Sequence, residues 1–329
     1  MSEVGKRHRL PRGARLTITV VVALLVGYVV ALTLIPLTAW SGVARVDATP
    51  GAGHIADTPG TAILLVGSDS RDALSAEERE HLGIGQADGG RTDTMMIYFI
   101  PKTGPAVLLS LPRDTYIGIP GVGYNKLNAA YAYGGAPLLV ETVEQRTGIR
   151  IDGYLEVGMA QFANLIDYVG GLDVCIDYDV ADGDSNLFLD AGCHHLNGAQ
   201  GLAYVRMRYA DPLGDLGRVQ RQREAISQVM NKLALKSNVA LPWRWHSTTN
   251  ALVDLLTAGE DTSIFDMLSA GWGALDFASE DGLQLTVPIW DPGANTEVGS
   301  AVIWDDDAAE ELFAIIRSGD TTGAEGFVK

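Results

Sequence analysis

This sequence of 329 residues predicts an α/β fold of α-β-α layers, preceded by a single N-terminal transmembrane helix. Three observations carry that prediction. Short apolar runs bounded by Gly and Pro alternate with longer stretches of three- and four-residue periodicity, the pattern of strands interleaved with helices. A basic tail is followed at once by an uncharged aliphatic run. Beyond that run no internal repeat or low-complexity tract divides the chain, so one large domain plus an anchor accounts for it.

The tail carries Lys6, Arg7, Arg9, Arg12 and Arg15, opposed only by Glu3, and residues 16 to 35 then run without charge. About twenty residues rising about 1.5 Å each match a hydrocarbon core of roughly 30 Å. The positive-inside rule keeps the cationic end cytoplasmic and puts the rest of the chain outside. A cleaved signal peptide fits less well, because its apolar region is usually about 7–15 residues long and ends in a small-x-small site. Trp40 suits an interfacial aromatic. The expected division is a cytoplasmic tail over 1–15, a transmembrane helix over 16–40, a linker over 41–60, an extracytoplasmic domain over 61–319 and a C-terminal tail over 320–329. The linker rests on small, polar, Pro and Gly residues with no apolar period.

Within the domain, residues 61–67 form a continuous apolar run ended by Gly67, as expected for a strand buried on both faces. Runs over 94–100 and 106–111, separated by Pro101-Lys-Thr-Gly-Pro105, read as a hairpin or as neighbouring strands. Helices are expected over 136–147, 159–168 and 198–205, with strands over 154–157 and 174–176. Residues 218–235 show the clearest helical period, and Arg218 and Gln222 sit one turn apart there. Beyond it the expectations are a Trp-containing loop over 241–250, a helix capped by Asp261 or Thr262, a strand over 283–289 and a closing helix over 305–317. The Gly-rich stretch 118–128, with Lys126 and Asn128, reads as a loop, and Arg221 and Arg223 read as solvated helix-face charges.

A formal charge of −17 argues against a general nucleic-acid role, so any polyanion must meet a local basic cluster. The two cysteines, Cys175 and Cys193, both fall in the extracytoplasmic part, where a disulfide is expected. Metal binding at Cys193-His194-His195 is the alternative, but no second cluster has zinc-ligand spacing.

Arg/Asp clusters recur at the ends of these elements: Gly67-Ser-Asp-Ser-Arg71, Arg91-Thr-Asp93, Pro112-Arg-Asp114, and Arg206-Met-Arg208 followed by Asp215, Arg218 and Gln222. Each cluster alone reads as a surface ion pair of small worth. Converging, they would suit a strongly anionic ligand, because guanidinium pairs bidentately with phosphate and stays charged at any physiological pH. Asp69 and Asp93 are the candidate Mg²⁺ ligands, since Mg²⁺ commonly bridges a carboxylate to substrate phosphates. Asp93 is also a candidate base for an attacking hydroxyl, and one carboxylate cannot serve fully as both.

Joined in order, these clusters, with Tyr124-Asn-Lys-Leu-Asn-Ala-Ala130, Val169-Gly-Gly-Leu172 and Tyr204-Val-Arg-Met-Arg208, resemble the LytR-CpsA-Psr family over about residues 61–236, more loosely to about 319. The resemblance implies a mixed central sheet between helices and a hydrophobic tunnel for a polyprenyl chain. It implies an enzyme, assisted by Mg²⁺, that passes a glycan-1-phosphate from a polyprenyl-pyrophosphate carrier to a peptidoglycan hydroxyl. Carried over residue by residue, it makes Arg91, Asp93 and Arg113 catalytic and gives the pyrophosphate Arg71, Arg91, Arg113, Arg206, Arg208, Arg218 and Gln222. Asp69 and Asp93 would hold the metal. The cysteine pair departs from the family's cysteine-free members and is similar to actinobacterial ones, whose glycan is arabinogalactan. Phe162, Leu165, Ile166, Val229 and Leu233 would line the tunnel or simply pack a core. Two rivals share the residues: a polyprenyl-pyrophosphate phosphatase, with water as nucleophile, and a non-catalytic lipid- or wall-binding regulator.

Overall fold

The structure is a computed structural model that describes residues 27–28, 30–68, 92–183, 185–207, 217, 221, 224–225, 228–229, 232, 241–278 and 281–328. Its centre is a seven-stranded mixed sheet. The strands are β1 (Ala44–Val46), β2 (Thr61–Ser68), β3 (Thr92–Ile100), β4 (Val107–Leu111), β7 (Gly153–Gly158), β12 (Leu256–Gly259) and β13 (Leu283–Thr286), in the order β1-β12-β7-β2-β3-β4-β13. β2 runs parallel to β7 and antiparallel to β3, which is antiparallel to β4.

The apolar run of β2 explains the layering. Ala62, Leu64 and Val66 face a cluster shared with helix α2 (Leu127–Thr147) and helix α7 (Asp306–Ser318). Ile63 and Leu65 face the other way, into a cluster with α5 (Pro242–Leu255) and α6 (Ile264–Ala278). A strand covered on both faces has no polar side to show, which is why its sequence does not alternate. A third cluster joins α3 (Met159–Tyr168) and α4 (Gly198–Arg206) to the small strands β8 (Leu172–Ile176), β9 (Val180–Asp182), β10 (Leu187–Leu189) and β11 (Gly192–Leu196). Leu165, Ile166 and Val229 are buried in it and Phe162 packs against it, so these residues are core, while Leu233 lies outside the described residues.

Several expectations change. The helix over 136–147 forms as expected, and α2 adds a further helical stretch from Leu127 that meets it across a kink at the non-helical Gly134 and Gly135. Gly135 has φ +64, a left-handed conformation that glycine adopts freely. The stretch 118–128 is a hairpin, β5 (Tyr116–Ile119) with β6 (Gly123–Lys126), rather than a loop. Residues 242–250 belong to helix α5, opened by Pro242 in its first turn, where a missing N–H costs nothing. Ser263, not Asp261 or Thr262, starts α6: its hydroxyl accepts from the Asp266 amide while Asp266 Oδ2 accepts from the Ser263 amide at 2.8 Å. The expected strand over 283–289 divides, β13 ending at Thr286 and β14 (Ile289–Thr296) pairing with β15 (Gly299–Trp304). The closing helix α7 is capped by Asp305, as the sequence indicates.

The stretch read as a linker is built into the domain. β1 pairs in parallel with β12, and Val43 and Ala48 are buried. Its partner lies more than two hundred residues away, so nothing local betrays the strand. The 320–329 tail is likewise folded in, with Thr321 and Ala324 fully buried. Upstream, residues 27–28 and 30–40 are helical (α1), and among the described residues no helix is long and apolar enough to cross a membrane. Most of the apolar run over 16–35 lies outside the described residues.

Candidate active site at the carboxyl edge of the sheet

Strand direction brings the motifs together. The carboxyl ends of β2, β7 and β4 and the amino end of β3 share one edge, so Ser68, Gly158, Leu111 and Thr92 end there. Ligands of open α/β sheets gather at such an edge. Along it the ladder slips: Gly67 pairs with Thr94 but Ser68 with Thr92, leaving Asp93 as the extra residue of a bulge. The bulge falls on the candidate base and metal ligand. In the sequence, Asp69 directly follows Ser68 and Asp93 directly follows Thr92.

Arg113 comes from the turn after β4. The Thr115 amide and hydroxyl both donate to the Pro112 carbonyl, at 3.1 and 2.7 Å, and the Trp304 indole donates to the Thr115 hydroxyl at 3.0 Å. The turn's own carbonyls then accept the first amides of α2: Asn128 N–H on Arg113 at 3.0 Å and Leu127 N–H on Thr115 at 2.8 Å. The helix needs these acceptors because its first amides have no partner within it. Side chains follow the backbone. Asp114 lies between Arg113, at 3.4 Å, and Lys126, at 3.1 Å, giving a net cationic trio at the strand end.

Beside it a polar cluster joins α2 to the sheet. Tyr131 donates to Glu156 at 3.0 Å, and Tyr154 donates to the same carboxylate at 2.7 Å. The Ser68 side chain hydrogen-bonds Tyr131 as well. Burial, reinforced by the Glu156 charge, pushes Tyr131 up to about 12 and Tyr154 upward as well. Both phenols stay protonated donors at neutral pH. Nothing in the sequence set these three apart, since their spacing matches no motif.

Arg206 arrives from another layer, at the end of α4, which packs on α3; α3 begins where β7 ends. Its support is Arg221, which the sequence reading left as a solvated charge. Arg221 is only 6% exposed. Its Nε donates to the Tyr204 carbonyl at 3.0 Å, its Nη2 donates to the Met207 carbonyl, and its guanidinium lies 5.7 Å over the Tyr204 ring. A cation suits the carboxyl end of a helix, where carbonyls lack partners and the dipole is negative. Burial is the larger influence on Arg221 and pulls its pKa down.

Cys175 and Cys193 are joined, as expected, facing each other across β8 and β11. The preceding Gly170 and Gly171 have φ +81 and +85, and a side chain on Gly171 would meet the Leu196 carbonyl at 2.6 Å, the physical reason for Val169-Gly-Gly-Leu172. With the cysteines joined, neither is a free thiolate; His195 pairs with Asp173 at 2.7 Å and His194 with the Asp190 carbonyl. Among the described residues no group of three or more His, Cys, Asp or Glu could hold a metal ion. Asp69, Arg71, Arg91, Arg208, Arg218 and Gln222 lie outside the described residues, and of Asp93 only the backbone position is described.

A model of the LytR_cpsA_psr family matches residues 44–314. A relative from Corynebacterium glutamicum named "Probable cell wall biosynthesis protein LcpB" is 44% identical over 95% of this chain and 74% of its own length. The "Polyisoprenyl-teichoic acid--peptidoglycan teichoic acid transferase TagU" of Oceanobacillus iheyensis is 42% identical over 54% of this chain, which spans about half, 52%, of that protein. Among solved structures, TagV of B. subtilis superposes with a TM-score of 0.59 at 25% identity, covering 80% of this chain and 98% of that one.

Proposed function

We propose, starting from the fact that this chain belongs to the LytR_cpsA_psr family, that it is a phosphotransferase of the bacterial cell wall. It takes a glycan-1-phosphate from a polyprenyl-pyrophosphate carrier, breaking the pyrophosphate P–O bond so that polyprenyl phosphate leaves, and joins it to a peptidoglycan hydroxyl, the glycan being arabinogalactan or a similar wall polymer. The single observation that supports this most is the sheet edge, where the Asp93 bulge, the Ser68 strand end and the Arg113 turn meet in a protein otherwise strongly acidic.

At that edge Arg113 pairs with a phosphate oxygen and stays charged throughout. Arg71, Arg91, Arg206, Arg208, Arg218 and Gln222 complete the pyrophosphate pocket in this proposal, and Arg91 and Arg113 offset the charge that spreads over the transferred oxygens. Asp93 receives the proton of the attacking hydroxyl or shares the metal with Asp69. Bound Mg²⁺ supplies further neutralisation of the phosphate oxygens. Asp114 is engaged by Arg113 and Lys126, and the carboxylates of Asp69 and Asp93 are oxygen ligands of the kind Mg²⁺ would take. The apolar run over 16–35 holds the chain in the cell membrane as a single pass, with the N-terminus cytoplasmic and the domain outside. The names of the relatives, cell wall biosynthesis and teichoic acid transfer to peptidoglycan, support the same reading.

The test follows a label from polyprenyl-pyrophosphate glycan incubated with the full chain, peptidoglycan and Mg²⁺, with Arg113→Ala alongside. Label on the wall, lost in the variant and on chelation, is the expected result. Soluble label would make the protein a phosphatase, and label retained on intact carrier would make it a binding module.

A further inference from the structure

The face opposite α2 and α7 has an unusual exterior. Phe265 and Leu268, three residues apart on α6, are 74% and 49% exposed, and Trp243 at the start of α5 is 66% exposed. Outward apolar residues on a helix normally alternate with charges, but α6 has only Asp266 and Asp276. Both are engaged by the fold itself. Asp266 accepts from the Ser263 amide and hydroxyl at 2.8 and 2.7 Å, and Asp276 accepts from the Ala106 amide at 2.9 Å.

What covers this face is indicated by the chain that leads into it. Helix α1, whose Leu34 and Leu37 are exposed, stops at residue 40, and only residues 41–43 separate it from β1. The Trp245 indole on α5 donates to the Leu32 carbonyl on α1 at 3.4 Å. Trp40 and Val43 pack in the same cluster as Val253 of α5 and Met267 and Ala270 of α6. Arg45 closes the join: it lies 4.6 Å over the Trp40 ring while its Nη1 donates to the carbonyls of Gly259 and Thr262, both at 3.0 Å. Thr262 is three residues before Phe265, a chain reach of about 10 Å. The end of α1 is therefore fastened to the loop that presents Phe265.

We propose that Trp243, Phe265 and Leu268 enter the headgroup–acyl boundary of the bilayer, so that the domain rests on the membrane on its α5–α6 face. This rests on the reading that the apolar run over 16–35 crosses that membrane. The occupant is a lipid leaflet because the exposed face is continuous with α1, which carries the membrane-spanning chain. Tryptophan and phenylalanine are the side chains that partition into that boundary.

The native cysteines are joined to each other, so one introduced thiol is the sole reactive one. Full-length Phe265→Cys and Trp290→Cys, each carrying an environment-sensitive fluorophore, are reconstituted into phosphatidylcholine–phosphatidylglycerol vesicles containing a shallow nitroxide lipid. Trp290, 76% exposed on the β14–β15 hairpin, is the control: Trp304 of that hairpin packs in the cluster on the opposite face of the sheet. The expected result is a blue-shifted Phe265 probe whose quenching exceeds that at Trp290 by at least about twofold. Equal quenching at both sites, or none at Phe265 in protein that floats with vesicles, would overturn the docking face. Protein that fails to float would remove the anchor itself and the proposal with it. Retained wall transfer in either labelled chain shows that the labelled protein is folded.

Discussion

Two arginines assigned to the same pyrophosphate are held in place by different means. Arg113 is positioned by backbone: its turn caps α2, and every rigid contact there is a carbonyl or an amide apart from the Thr115 hydroxyl and Trp304 indole. Arg206 sits at a helix end braced by another side chain, the buried Arg221. A backbone-held group tolerates changes in its neighbours, whereas a group held through a buried cation depends on that cation having no substitute. The contrast teaches that a site's cations need not all be ligand-facing: Arg221 uses its charge on the carbonyls of its own fold.

The largest effect expected is on Arg113 itself. Arg113→Ala should lower turnover by on the order of 10²-fold or more with the melting temperature little changed, as for loss of one preformed charge stabiliser; concurrent unfolding would make Arg113 structural and erase the contrast. Arg221→Leu should do the reverse in kind, destabilising the fold by about 2–4 kcal/mol because two buried carbonyls lose their donor. Chemical denaturation measures it, and a loss under about 0.5 kcal/mol, within the range of ordinary surface substitutions, would return Arg221 to the surface. Replacing both Cys175 and Cys193 with Ser should cost about 2–4 kcal/mol by freeing the loop around β9 and β10, read as a shift in the denaturation midpoint that reductant reproduces in the parent. Smallest is Trp304→Phe, which keeps a six-membered aromatic ring but loses the pyrrole part of the indole and its hydrogen bond to Thr115, costing at least about 0.5–1.5 kcal/mol; a similar loss in a Thr115→Val, Trp304→Phe double variant would show that the bond acts as a pair.

Alkaline pH sharpens the comparison further. Tyr131 is pushed up to about 12, above the unfolded value of 10.0, so the folded state holds its proton more tightly. Stability from this group is then fully present below pH 10 and lost as the pH rises through about 12. Tyr154 is raised for the same reasons and adds to the loss in the same direction. Tyr154→Phe should flatten the fall in melting temperature above pH 10, and an unchanged slope would remove the Tyr–Glu156 cluster from the account.

Much of the site was legible because its motifs sit at strand ends, and strand ends are marked by local chemistry. Arg113, Asp93 and Ser68 lie within a residue or two of apolar runs that any two-faced strand must have. Arg221 was misread because solvation and burial look alike for a charge on a periodic helix until its partner carbonyls are placed. Glu156 was missed for a related reason: its partners Tyr131 and Tyr154 come from different elements, and only the packing of α2 on β7 brings the phenols together.

From the sequence alone follow the α/β class, the apolar covering of β2, the disulfide and the family, because strand burial, oxidising context and motif order are properties of the chain itself. Tertiary structure alone decided that 44–46 is a sheet edge, that the ladder slips at Asp93, that Arg221 is interior and that Tyr131 and Tyr154 converge on Glu156. Each of these depends on a partner in another element of the fold, and such a pairing is selected by the free energy of the whole packed core rather than by any local preference.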